Sequence, residues 1–292
     1  ARWTPAPRVV TFHDAMFLRR PQDYNRLWLR VFRWVSLPAL RRAAAVIVPS
    51  RHAAEETATY AGVSPERIHV VPLGGPTGGE PLRVAEEDAA PVLARYGLAP
   101  GAYVLHVGVL ERRKNLVTLV RAFDQYRRQA AASRGEGMPP GWKLVLVGQP
   151  GPRPDLDDSQ NIRRTIAELG VAEQVILTGH VSIAERNALY TRAGAVAVPS
   201  LLEGFGIPVL EAFAAGVPVL SARATSLPEV AGEAALYFDP GAVDELAEAI
   251  ARVAGDAQLR ARLVAAGAER AREFTWARTA AETMAVFEQV AR

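Results

Sequence analysis

Short, nearly unbroken apolar runs alternate along the chain with longer stretches whose apolar residues recur at helical spacing. The runs fall at 9–12, 45–48, 68–71, 103–107, 143–147, 175–177, 195–198, 217–221 and 235–238. Their length and uniform hydrophobicity are those of strands buried on both faces of a parallel sheet. The alternation with helical patterns predicts a doubly wound α/β architecture. A long helix is predicted over 24–44. Ser50 is a candidate N-cap for a helix ending near Ala61-Gly62, and Ser182-Ile-Ala-Glu185 has the spacing of a capping box. Pro208 suits the first position of a helix running to about Ala215 and stopped by Gly216, which places Glu211 on its first turn. An amphipathic helix closes the chain at 276–290. The Gly- and Pro-bearing stretch 74–87 reads as a linker, and 134–140 and 149–158 as loops. These breaks divide the chain into units at 1–82 and 83–275 and a final helix at 276–292.

Composition narrows the class. The chain has 292 residues, enough for two domains, and is 49% hydrophobic, enough for a substantial core. No apolar run reaches the ~18–20 residues that span a bilayer. The absence of cysteine excludes disulfides and thiolate metal sites and fits a cytoplasmic protein. The net charge is only +3, and of 34 basic residues two, Lys114 and Lys143, are lysine. Without a basic tail or an aromatic-interleaved basic stripe, this is a compositional bias rather than a nucleic-acid surface.

Candidate chemistry centres on Glu203-Gly-Phe-Gly-Ile-Pro-Val-Leu-Glu211. Two carboxylates flank a Gly-x-Gly turn and a helix start whose unpaired amides suit a phosphate. A sugar nucleotide fits, with hydroxyls on the carboxylates and the diphosphate on the helix end. On spacing alone, a strand-turn-helix with two surface glutamates fits as well. Val104–Gly108 reads as a strand ending in glycine, followed by Leu110-Glu-Arg-Arg-Lys-Asn115. Arg113 and Lys114 there could neutralise a diphosphate leaving group without a metal; the alternative is a basic cluster on a solvated turn. His13-Asp14 ends the first strand, where a histidine can also be satisfied by backbone groups. The segment Arg26–Leu37 mixes arginines with Trp28, Phe32 and Trp34. It could lie on an anionic membrane surface, though a core helix with solvent-facing arginines is the preferred reading.

Several of these pieces carry a resemblance. Glu203-x7-Glu211, within Ser200-Leu-Leu-Glu-Gly-Phe-Gly-Ile-Pro-Val-Leu-Glu-Ala, resembles the Glu-x7-Glu motif of family 4 retaining glycosyltransferases of the GT-B fold. Thr11-Phe-His-Asp14, Val46-Ile-Val-Pro-Ser50, Ile68-His-Val-Val-Pro-Leu-Gly74, Val107-Gly-Val-Leu-Glu-Arg-Arg-Lys-Asn115 and Ser226-Leu-Pro-Glu-Val230 match in the family's order, over nearly the whole chain. The resemblance implies two Rossmann-like doubly wound parallel-sheet domains facing a cleft, with the final helix crossing back to the first. That first domain is expected to be incomplete, because the family carries several strands and a glycine-rich loop before the position of 9–12.

The implied activity is retaining transfer of a sugar from a nucleotide diphosphate donor, GDP-mannose first and a UDP-sugar next, to a glycan or lipid-linked acceptor. Attack occurs on the face the leaving group departs from, with the leaving phosphate helping to take the acceptor proton. By resemblance, His13, Glu203, Arg113 and Lys114 are the catalytic group, with His13 and Glu203 at the donor sugar. Gly108, Val181, Gly204, Phe205, Gly206, Leu210 and Glu211 bind the nucleotide sugar, Glu211 through the ribose hydroxyls. Many relatives place an arginine directly after the strand-end glycine; here that residue is Val109, and Arg113 is expected to take its part. No cofactor, metal or nucleic-acid partner is expected, and peripheral membrane contact stays open as the alternative to the core-helix reading of 26–37. Asp155-Leu-Asp157 has the Asp-x-Asp spacing of metal-dependent glycosyltransferases, but it lies in a Pro/Gly loop ahead of a helix and reads as solvated loop and helix N-terminal charge. Rival readings are a non-catalytic nucleotide-sugar-binding subunit, an epimerase, or a phosphorylase. A pyridoxal-type phosphorylase would have to draw its lysine from Lys114 or Lys143.

Overall fold

The computed structural model describes residues 6–132, 141–151 and 153–292. The predicted loop at 134–140 lies outside them.

In the first unit β1 (Val9–Thr11) leads through the short α1 (Met16–Arg19) to α2 (Arg26–Arg41), followed by β2 (Ala45–Val48), α3 (Arg51–Glu56) and β3 (Ile68–Val70). The three strands are parallel in the order β1-β2-β3. Successive residues of β2 face opposite ways. Val46 and Val48 join Leu29, Leu37 and Leu40 of α2 and Ala53 of α3 in one apolar cluster. Ala45 and Ile47 meet Val286 on the opposite face. Val286 belongs to the last helix, which therefore packs on the first unit.

The second unit comprises α4 (Glu86–Arg95), β4 (Tyr103–Val107), α5 (Leu116–Ala132), β5 (Lys143–Val147), α6 (Ser159–Leu169), β6 (Val175–Gly179), α7 (Ile183–Thr191), β7 (Ala195–Val198), α8 (Ile207–Ala214), β8 (Val219–Ala222), α9 (Leu227–Ala231), β9 (Ala235–Phe238), α10 (Val243–Gly255) and α11 (Ala257–Ala271), before α12 (Trp276–Ala291). Its six strands are parallel in the order β6-β5-β4-β7-β8-β9. The order reverses between β4 and β7, so the loops leaving those strands diverge and open a crevice at their carboxyl ends, where doubly wound sheets bind ligands.

Several predicted boundaries shift for identifiable reasons. The helix expected from residue 24 begins at Arg26 because the Asn25 side chain accepts hydrogen bonds from the amides of Leu27 and Trp28. The acidic run at the end of the predicted linker is the first turn of α4, where carboxylates offset the helix dipole. α8 starts at Ile207, one residue before Pro208, so Glu211 lies on its second turn rather than its first. The Ser50 cap and the Ser182–Glu185 capping box form as predicted. The two passages between the units lie against each other: a Cβ on Gly74 would fall 2.4 Å from the Trp276 nitrogen, so only glycine fits there.

Candidate functional site

The crevice is built by the loops after β4 and β7. Beyond β4, Arg112–Lys114 forms a single 3₁₀ turn, and Asn115 follows with φ 57°. Asparagine tolerates this left-handed conformation better than most residues. The Asn115 side-chain amide donates to the carbonyls of Pro199 (3.2 Å) and Pro240 (2.7 Å). It thereby ties the basic turn to the end of β7, a role not assigned from the sequence. Gly148, after β5, is pressed so close that a Cβ there would fall 1.8 Å from the Gly108 carbonyl oxygen.

The basic turn and the carboxylate loop meet directly. Lys114 Nζ donates to Glu203 Oε1 at 2.5 Å, and the Ser200 hydroxyl donates to the same oxygen at 2.8 Å. Arg113 Nη1 reaches Glu203 Oε2 at 3.3 Å, and its Nε donates to Glu111 Oε2 at 2.7 Å. Lys114, Glu203 and Glu111 are all buried. Burial pushes the Glu203 carboxyl up, but the Lys114 and Arg113 charges outweigh it and hold the group below the usual carboxylate range. Burial likewise opposes the Arg113 charge, and the Glu203 and Glu111 carboxylates more than offset it. Glu203 is thus the counter-ion of both cations.

The loop itself is braced. The Glu203 amide donates to Thr225 Oγ1 at 3.0 Å, and the Ser226 hydroxyl lies 2.9 Å and 2.8 Å from the carbonyls of Glu203 and Phe205. This is the work of Thr225 and of Ser226 at the head of the Ser226-Leu-Pro-Glu229 segment. Among the described residues the amides of Gly204, Phe205, Gly206 and Ile207 donate to no protein acceptor. They stand at the start of α8, where the helix dipole favours an anion. Gly206 has φ 121° and a Cβ there would touch Leu227, so this turn requires glycine.

The first unit closes on the same loop. A Cβ on Gly204 would fall 2.5 Å from the His13 carbonyl oxygen. The Ser50 hydroxyl donates to the Gly204 carbonyl at 2.8 Å, and the Arg51 amide approaches both Glu229 oxygens at 3.0 and 2.9 Å. His13, Arg113, Lys114, Glu203, Gly204, Phe205 and Gly206 therefore line one cavity of roughly 280 Å³. His13 is exposed within it. Asp14 lines it too, half-buried, its carboxyl pushed up by burial while the Met16 amide and Arg113 pull the other way.

The remaining predicted residues lie apart from this wall. Glu211 accepts the Tyr190 hydroxyl at 2.8 Å and pairs with Arg186 at 3.2 Å. Burial, with the adjacent Glu211 charge, pushes the Tyr190 hydroxyl well above its ordinary value, so it stays a donor. Leu210 is 1% exposed and packs in the sheet core, so its side chain presents nothing to the cavity. Val181 is half-buried against the same core just before α7. The Phe205 side chain is also core, edge-on to Phe274 at 5.8 Å. Gly108 sits where a Cβ would meet His106 Nε2 at 3.1 Å and Lys114 at 3.5 Å.

His106 escaped sequence reading; its one signal was an imidazole inside an apolar strand. Its Nδ1 lies 3.0 Å from the Ala197 carbonyl, and its Nε2 has no partner among the described residues. Burial first, with help from Lys114 and Arg113, lowers its pKa to about 4, so it is neutral beside the cations.

The loop 149–158 is not simply solvated, as was expected. The Asn25 amide donates to Asp155 Oδ2 at 2.8 Å, and the Arg153 guanidinium lies over the rings of Trp28 (4.5 Å) and Tyr24 (5.4 Å). Asp157 accepts from the Ser159 amide and hydroxyl, both at 2.9 Å, which bears out its reading as helix N-terminal charge. Among the described residues no group of three or more His, Cys, Asp or Glu is placed to hold a metal ion. No helix of the described residues is long and apolar enough to cross a membrane.

Residues 98–270 match the family model of glycosyl transferases group 1, and residues 1–77 match that of glycosyltransferase family 4. The chain belongs to the group 1 glycosyl transferases. It is 29% identical over 277 residues to the O-antigen chain mannosyltransferase B of Escherichia coli, covering 94% of this chain and 68% of that protein. It is 32% identical over 296 residues to the MMP alpha-(1->4)-mannosyltransferase of Mycolicibacterium hassiacum, covering 97% of this chain and 65% of that protein. The chain thus spans about two thirds of the length of these two relatives. Among solved structures, HepE of Anabaena, crystallised with UDP and glucose, superposes with a TM-score of 0.77 at 23% identity, covering 98% of this chain and 71% of that one. These parallel sheets are of the GT-B type.

Proposed function

We propose that this polypeptide binds a nucleotide diphosphate sugar in the crevice after β4 and β7, and that the enzyme it represents transfers the sugar with retention. The observation that carries this reading is the convergence of Arg113, Lys114 and the unpaired amides of 204–207 on one cavity that His13 closes from the other unit. A diphosphate is the anion that matches two cations and a helix start. The acceptor hydroxyl oxygen attacks the anomeric carbon as the bond to the diphosphate oxygen breaks. The hydroxyl proton passes to the departing phosphate, whose growing charge Arg113 and Lys114 meet. No protein nucleophile enters this scheme. Asp155 Oδ2 is bonded by the Asn25 amide and both Asp157 oxygens by Ser159, which supports neutralisation of the donor by protein cations rather than by a metal.

GDP-mannose is the first donor to test and UDP-sugars the second; the two mannosyltransferase relatives support that order. The acceptor is a glycan or a lipid-linked glycan on the His13 side. The arginines and exposed Leu27 and Val31 of α2 support peripheral contact with a membrane. The reaction is assigned to the cytoplasm, at the inner face of that membrane when the acceptor is lipid-linked. Calorimetric titration with GDP-mannose, UDP-glucose, GDP and UDP tests the donor half. Saturable binding of one nucleotide class supports the reading, and failure of all four to bind overturns it.

A further inference from the structure

Glu211 is a buried carboxylate whose two oxygens are both engaged by side chains of one helix. The Tyr190 hydroxyl donates to Oε2 at 2.8 Å, and Arg186 Nη1 stands 3.2 Å from Oε1. Arg186 and Tyr190 lie four positions apart on α7 and so share one face of it. Tyr190 is 1% exposed, which leaves its hydroxyl no solvent to turn to. Arg186 gains little from other partners. Its Nη2 reaches Asn187 Oδ1 only at 3.3 Å, and its Nε is buried with no partner among the described residues. The guanidinium is therefore held where Glu211 needs it rather than where its own donors are best satisfied.

The carboxylate faces the anion-binding end of α8. Glu211 follows Ile207 by one helical turn, roughly 6 Å along the axis at ~1.5 Å per residue. Helical side chains lean toward the N-terminus. That N-terminus bears the unpaired amides of 204–207. The sugar attached to a diphosphate seated there would lie beside Glu211.

A carboxylate offers about four lone-pair directions, two on each oxygen. Tyr190 takes one on Oε2 and Arg186 one on Oε1, which leaves one on each oxygen. Two neighbouring hydroxyls can then each find an acceptor of their own. Without those two donors the carboxylate could turn about its last bond and present a single oxygen.

We propose that Tyr190 and Arg186 are positioning residues: by fixing the plane of the Glu211 carboxylate they make it a reader of the 2′- and 3′-hydroxyls together. This rests on the donor reading, with Glu211 as the ribose acceptor, and adds the residues that give the site its selectivity. The donor class it implies is a ribonucleotide with a free vicinal diol.

Calorimetric titration of the polypeptide with GDP, UDP and their 2′,3′-dideoxy forms gives a ribose preference, the ratio of the two dissociation constants. In the parent that ratio should be about ten- to a hundredfold for the base that binds. Tyr190→Phe removes one oxygen and keeps the ring in the core. It should cut the ratio about two- to tenfold by weakening ribonucleotide binding, with the dideoxy affinity unchanged. Arg186→Met should cut it at least as much. Glu211→Gln should remove most of the ratio, and adding Tyr190→Phe to it should change nothing further, because the tyrosine acts through that carboxylate. An unchanged ratio in either single variant removes that residue from the role, and in both overturns the inference. An equal loss of ribo- and dideoxynucleotide affinity also overturns it, since a merely structural tie between α7 and α8 would give that result. A parent that binds ribo- and dideoxynucleotides alike takes Glu211 off the ribose and this inference with it, and leaves the diphosphate site standing. A parent that binds neither refutes the donor reading itself.

Discussion

Lys114→Met removes one buried cation while keeping most of the side chain's volume, and its two consequences can be separated. The first is at the ligand. A hydrogen bond to a charged group contributes ~1.5–3 kcal/mol, so the diphosphate should bind about ten- to a hundredfold more weakly. The loss should follow the phosphates: large for GDP or UDP, smaller for the monophosphates, absent for the nucleosides. The second is in the empty protein. Glu203 loses the donor 2.5 Å from its Oε1 and keeps Ser200 at 2.8 Å and Arg113 at 3.3 Å. Breaking a buried ion pair from one side costs ~3–5 kcal/mol. The remaining Arg113 contact places this case near the lower end, about 3 kcal/mol.

Adding Glu203→Gln removes the orphaned charge. The double variant should regain most of the lost stability and none of the lost diphosphate affinity. Urea midpoints and calorimetric titrations on the parent, both single variants and the double variant give the comparison. Unchanged GDP and UDP affinity in Lys114→Met would remove Lys114 from the phosphate site. An equal loss for nucleoside and diphosphate would say that the variant had deformed the crevice instead. A double variant no more stable than Lys114→Met would deny that Glu203 serves as its counter-ion.

Glu211→Gln should weaken nucleosides and diphosphates alike, about ten- to a hundredfold, and should leave 2′,3′-dideoxynucleotides unaffected; unchanged ribonucleotide affinity would take Glu211 out of the ribose site. Chelator should leave donor binding intact, and Asp157→Ala should cost only the ~1 kcal/mol of its lost hydrogen bonds to Ser159; a strict manganese or magnesium requirement abolished by Asp157→Ala would overturn the metal-free assignment. His106 titrates at about 4 in the folded protein against 6.5 unperturbed, so the unfolded chain takes up the proton first. The stability this provides is complete above pH ~6.5 and is lost as pH falls toward ~4, about 3 kcal/mol in all at ~1.4 kcal/mol per tenfold in proton affinity. His106→Gln should flatten that part of the stability–pH curve; an unchanged slope would contradict the neutral, desolvated imidazole.

The strands were legible because β2, β7 and β8 bury every residue, so hydrophobicity alone marks them to within a residue or two. Helix starts were legible where a hydroxyl caps them, as at Ser50 and Ser182, and misread where another device decides. Asn25 ended the apparent periodicity of Tyr24, and Gly206 started α8 before its proline. The site was legible as separate segments, since each motif is continuous in the chain. What joins them is not: Lys114 and Glu203 stand 89 positions apart, and Asn25 and Asp155 stand 130 apart. Those contacts follow from the reversal of strand order between β4 and β7 and from the closure of one unit on the other, which no local pattern encodes. That assembly also gives Glu203 a further part. Resemblance places it at the donor sugar; the geometry makes it the counter-ion of Arg113 and Lys114, which would otherwise be two adjacent charges with one carboxylate, Glu111, between them. On the proposed reading, an arriving diphosphate must compete with Glu203 for the same two cations. The site is therefore charge-compensated when empty, and in the proposed reaction the strength of that competition would set how readily the product diphosphate leaves.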